Sequence, residues 1–241
     1  MKKQISLDIV NQLNKGEREA SNLMEFLAID LALLLANTIP EFDFPQLPKP
    51  LGITKKFKSV ALSLHTQFGF KIFDTLSIHK SDSIRALACY VLGEQKLSFP
   101  EKLNLIKPLA DDPNSGVREW AWMVLRADFT QELTKSIKLL SRWTEESSDN
   151  IRRFASELSR PRGVWCSHIK ELRKEPWLGL DIIEPLRSDK AKYVQLSVGN
   201  WLNDAGKDHP DWVKNLCRDW SNQSTTPYTE KICKRAMRNL V

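Results

Sequence analysis

With 241 residues, 41% of them apolar and 27% charged, the chain has the composition of a soluble folded protein, long enough for one large domain or an extended repeat array. Its nine glycines, and the lack of alternating Val/Ile/Thr runs between turn residues, argue against all-β and dinucleotide-binding designs. The formal charge of +6 favours polyanionic partners.

The first residues, MKKQISLDIVNQLN, begin with two lysines, but polar residues interrupt the apolar stretch that a secretory leader needs. Leu23–Ile39 is rich in Leu and Ala yet carries Glu25, Asp30 and Asn37. That is too polar for a membrane span of about 18 residues, so a buried helix is predicted over Met24–Ile39. Pro40 and the connector FDFPQLPKPLG close this N-terminal part, residues 1–50. Four scattered cysteines (Cys89, Cys166, Cys217, Cys233), without CxxC or His at ligand spacing, argue against a disulfide framework and a zinc site and fit a reducing cytoplasm.

From residue 51 onward a pattern recurs. SDSIRALACYVL (81–92), NSGVREWAWMVL (114–125), SDNIRRFASEL (148–158) and AKYVQLSVGNWL (191–202) each have a short polar lead-in, an Ile or Val, usually an Arg, and then apolar residues at helical spacing. The equivalent positions Arg85, Arg118, Arg152 and Gln195 lie 33, 34 and 43 residues apart. Second helices are predicted between them, over Phe99–Leu109, Thr130–Trp143 and Trp177–Leu186. Paired helices at this period predict an all-α fold, an α-solenoid of HEAT-like repeats forming a single domain over 1–241, curved, with a concave basic face. The recurring Arg reads as structural, bonding a neighbouring repeat, and the polar lead-in as a helix cap.

Two segments exceed what scaffolding needs: IRRFASELSRPRGVW (151–165) and YVQLSVGNWLNDAGKDHPDWV (193–213). Between Ile151 and Glu175 seven basic residues face three acidic ones, and Glu157 stands between Ala155 and Leu158, where a carboxylate needs a reason to be buried. Taken together the two segments resemble the DNA alkylation repair glycosylases with HEAT-like repeats, the AlkC type more than the AlkD type. LMEFLAIDLALLLANTIPEF near the N-terminus adds a weaker match. The resemblance implies hydrolysis of the N-glycosidic bond of cationic alkylated bases in duplex DNA, chiefly N3-methyladenine and related lesions, with N3-methylcytosine a further candidate.

Alkylation of a purine ring nitrogen makes the base cationic and weakens its bond to the sugar. Cleavage then passes through an oxocarbenium-like sugar that a carboxylate stabilises while positioning water. An indole face adds about 0.5–2 kcal/mol of cation–π attraction. No metal or other cofactor is expected. On the family pattern Glu157, Asp204, Trp165 and Glu119 are the catalytic candidates, and Arg152, Arg153, Arg160, Arg162 and Lys207 the DNA-phosphate contacts. The basic tail Lys231, Lys234, Arg235 and Arg238 reads as a solvated helix face. A monomer without an immunoglobulin-like C-terminal domain, and without membrane contact, is expected. The competing readings are a non-catalytic DNA-binding scaffold and a protein–protein adaptor.

Overall fold

The computed structural model describes residues 5–48, 50–163, 165–224 and 226–240, so Val164 of the RPRGVW segment lies outside it. Every regular element among these residues is helical. In chain order they are α1 (Leu7–Asn14), α2 (Leu23–Leu27), α3 (Leu31–Thr38), α4 (Ile53–Phe68), α5 (Ile72–Ser77), α6 (Asp82–Gly93), α7 (Phe99–Ala110) and α8 (Ser115–Val124). They continue with α9 (Arg126–Gln131), α10 (Leu133–Ser141), α11 (Asp149–Leu158), α12 (Lys170–Lys174), α13 (Leu180–Ile183), α14 (Lys192–Gly206), α15 (Pro210–Gln223) and α16 (Pro227–Ala236). No helix among them is long and apolar enough to cross a membrane.

Three predicted helices are interrupted. Met24–Ile39 is divided into α2 and α3 because Asp30 turns its carboxylate onto the amides of Ala32 and Leu33 and starts a new helix. Thr130–Trp143 is divided at Glu132, whose non-helical ψ of 59° ends α9, and finishes as a 3₁₀ turn over Arg142–Glu145. Trp177–Leu186 becomes a 3₁₀ turn, Pro176–Gly179, followed by the four-residue α13. By contrast the four repeat starts form α6, α8, α11 and α14 close to their expected limits.

The chain divides into two compact units, Met1–Leu97 with Glu101–Val124, and Ser98–Pro100 with Leu125–Val241. In the first, α6 packs on α4, α5 and α8, burying Leu64, Leu76, Ile84, Leu87 and Val91. In the second, α14 lies between α11 and α16 and also meets α15. Its core is built on Val194, Val198, Trp201, Trp220 and Ile232, each large side chain removed from water contributing roughly 1.5–3 kcal/mol.

One device recurs at the repeat starts. The side chains of Arg85, Arg118, Arg152 and Gln195 each donate to the carbonyls six and five residues earlier: His79 and Lys80, Asp112 and Pro113, Glu146 and Ser147, Asp189 and Lys190. Those carbonyls belong to the loop that enters the helix, so the fork ties the loop to the helix it precedes. Arg85 also grips Asp112 with two bonds (2.6 and 2.9 Å), and Arg152 grips Asp189 in the same way (2.6 and 3.1 Å). Each of these aspartates lies in the loop before the next repeat start and accepts in addition the amide two residues on, Asn114 or Ala191. Gln195 replaces the arginine without loss of the loop bonds, because a carboxamide supplies two N–H donors.

Candidate functional site

The second unit carries the candidate site between α11 and α14. Ser156 and Ser197 hydroxyls meet at 2.5 Å, and the Trp201 indole donates to the Ser159 carbonyl at 3.0 Å. These bonds set the register of the two helices. They bring Glu157, at the end of α11, toward Asp204, three turns into α14.

Arg160 joins the two. Its Nη1 donates to Glu157 Oε2 at 3.1 Å, while Nε and Nη2 converge on Asp204 Oδ2 at 3.0 and 2.7 Å. Glu157 is 3% exposed and Asp204 5%, so two carboxylates from successive repeats are sunk beneath one guanidinium. Burial presses on the Arg160 cation, but Glu157 and Asp204 outweigh it and raise its pKa above the ordinary arginine value. Arg153 lies 3.6 Å from Glu157 Oε1 and over the Tyr193 ring at 4.2 Å. Lys207 reaches Asp204 Oδ1 at 3.3 Å.

Arg126, at the start of α9, is the residue that sequence reasoning missed. It is 4% exposed and donates to the carbonyls of Leu158, Arg160 and Ser167. It thereby pins both ends of the loop that follows α11. Burial holds its pKa below the ordinary value. The only sequence signal is an arginine amid the apolar residues of MVLRADF, and its partners lie 32–41 residues away.

The remaining residues separate by position. Trp165 stands on the loop with 62% of its surface exposed. Arg162 and Arg173 both bind Asp208 (2.7, 2.9 and 3.0 Å), and the bonds from Arg173 and then Arg162 outweigh burial and hold the Asp208 carboxyl down at about 2. Arg152 is committed to Asp189 and two loop carbonyls, as Arg85 is to its counterparts, and this geometry gives it the repeat-organising post. Glu119 belongs to the first unit, where its carboxylate accepts the Trp122 indole N–H at 2.9 Å. No grouping of three or more His, Cys, Asp or Glu that could hold a metal ion occurs among the described residues.

Two buried carboxylates thus converge on one guanidinium, within a helical-repeat frame that has known counterparts. Residues 71–159 match the family model for HEAT repeats. The alkylpurine DNA glycosylase AlkC of Pseudomonas fluorescens, solved bound to DNA containing an abasic site analogue, superposes with a TM-score of 0.68 at 20% identity, over 98% of this chain and 63% of that one. AlkD2 of Streptococcus mutans superposes at 0.66 with 19% identity, over 88% and 99%. The smu.31 protein of Streptococcus mutans UA159 gives 0.65 with 21% identity, over 78% and 93%. The protein YhaZ of Bacillus subtilis strain 168 is 30% identical over 208 residues, 83% of this chain and 54% of that protein, so the chain spans about half the length of this relative. The fold is that of the AlkC and AlkD-type HEAT-repeat glycosylases, the class its sequence resembles.

Proposed function

We propose that this chain is a DNA glycosylase that hydrolyses the N-glycosidic bond of cationic alkylated bases, N3-methyladenine foremost. The observation that carries the reading is the convergence of Glu157 and Asp204, both buried, on the single cation of Arg160. Arg160 marks where a positive charge is stabilised by two carboxylates, which a substrate cation would share with it. A cationic base, and then the oxocarbenium sugar, presents the same charge to the same groups.

In this mechanism the C1′–N bond breaks with its electron pair passing to the base, which leaves neutral. The positive charge moves to the sugar, facing Glu157 and Asp204. Water then attacks C1′, and its proton passes to a carboxylate before release to solvent. Because the leaving base is already activated, the residues need only hold charge and orient water. Trp165, exposed on the loop that Arg126 pins, is positioned to offer its face to the lesion or to the neighbouring bases. Lys207, exposed beside Asp204, serves a phosphate of the duplex, while Arg153 and Arg162 reach phosphate only by sharing it with Glu157 and Asp208.

The test is release of methylated base from alkylated duplex. Wild-type protein releases it at a rate well above the spontaneous one. Salt-sensitive duplex binding with no base release over long incubation would leave only the scaffold reading.

A further inference from the structure

The arginines that look most suited to phosphate are largely occupied. Arg152 is held by Asp189, Arg160 by Glu157 and Asp204, and Arg162 and Arg173 by Asp208. A guanidinium already paired with a carboxylate gains less from a phosphate, because it must share or surrender its first partner.

The cations of α16 and the turn after it are in a different state. Lys231, Lys234 and Arg238 are exposed and Arg235 is half-buried. Among the described residues no carboxylate stands within ion-pairing distance of any of the four. Spaced three and one residues apart, Lys231, Lys234 and Arg235 share one side of α16, and Arg238 follows in the turn, so the row runs over roughly 10 Å at 1.5 Å per residue.

Their placement is built rather than incidental. A Cβ on Gly199 would come within 2.8 Å of Arg235 Cβ and 3.0 Å of its Cγ and Cδ, so the missing side chain lets the arginine stem lie across α14. Arg235 Nε then donates to Asn200 Oδ1 at 2.9 Å. Arg238 donates to the Arg235 carbonyl at 2.6 Å. Burial, then Arg235, presses its pKa below the ordinary value; Arg160 adds to this and Asp204 opposes it. The helix thus brings like charges together at the edge of the carboxylate site, an arrangement that an anion relieves.

We propose that Lys231, Lys234, Arg235 and Arg238 form a phosphate-binding row that grips one strand of duplex DNA beside the Glu157–Asp204 site. At one phosphate per about 3.4 Å of axis along a strand, the row matches two to three consecutive phosphates. The inference rests on the reading of the chain as a DNA enzyme, and its test is chosen to fail separately.

Binding of a short undamaged duplex is measured from roughly 50 to 200 mM salt for the full chain, for R235Q/R238Q and for K231Q/K234Q. The lysine pair is exposed and makes no contact with Gly199 closer than that of Arg235, so its replacement leaves that packing untouched. Each pair is expected to reduce the slope of log K against log salt by about 1–2 and to weaken binding several-fold or more at the low-salt end, with thermal melting of K231Q/K234Q unchanged. If wild type shows a steep slope and both variants keep it, the row is a solvated face and the inference is overturned. If wild type itself binds duplex without salt dependence, the DNA reading falls instead. A loss of binding to anionic vesicles alone, with duplex binding intact, would assign the row to a membrane and also overturn it.

Discussion

Each unit contains an arginine set between two carboxylates, buried for Arg85 and partly exposed for Arg160, and the two differ in what else the arginine does. In the first unit Arg85 binds Asp112 and Glu19, and it also donates to the carbonyls of His79 and Lys80. In the second, Arg160 gives its side-chain donors to Glu157 and Asp204, with no backbone acceptor among the described residues. Arg85 sits at the repeated position shared with Arg118 and Arg152, and Arg160 lies outside that pattern. A guanidinium that ties loop carbonyls is serving the chain. One that only neutralises two carboxylates from adjacent repeats is holding a charge pair in readiness, and the proposed chemistry uses that pair.

The largest effect should come from Asp204→Asn, which keeps shape and hydrogen bonding but removes charge. Single-turnover base release should fall by about 10²–10³-fold, the cost of removing one preorganised charge-stabilising group. Arg85→Ala should leave Asp112 buried and unpaired and cost about 3–5 kcal/mol in chemical unfolding. Arg160→Ala should also destabilise, because two carboxylates lose their common partner.

A smaller effect separates the units by pH. Asp82, 1% exposed at the start of α6, has its carboxyl pushed up to about 6 by burial. The folded state therefore holds the proton more tightly than the unfolded chain. The stability this confers is complete below about pH 4 and is lost as pH rises through 6. Asp82→Asn removes that loss, so its gain over wild type should approach 2–3 kcal/mol at neutral pH and vanish near pH 4, read from melts across that range. An Asn variant no more stable at pH 7 would show that Asp82 is otherwise compensated. The smallest effect is Trp165→Ala, for which release should slow by about 2- to 30-fold with folding unchanged.

The repeat starts were legible because each signal is local: a polar lead-in, a β-branched residue, and apolar side chains within one helix. The breaks at Asp30 and Glu132 were not, since apolar periodicity runs across both without Gly or Pro and only the observed backbone shows the chain turning. Glu157 stood out as a carboxylate in an apolar helix and Asp204 by the family pattern, and the structure brings them to one cation. That this cation is Arg160, and that Arg126 braces the loop, depends on contacts across 32–44 residues, which no spacing rule encodes. The arginine-rich segment attracted attention by composition. The structure shows much of that charge in ion pairs, while the less conspicuous tail has no ion pair among the described residues.

The comparison is tested most directly by matched charge-removing variants in the two clusters. Base release from alkylated duplex is measured for wild type, Glu157→Gln and Glu19→Gln at equal folded concentration. The account predicts that Glu157→Gln loses about 10²-fold or more while Glu19→Gln stays within about twofold of wild type. Equal rates for all three, or equal losses in both variants, would contradict it.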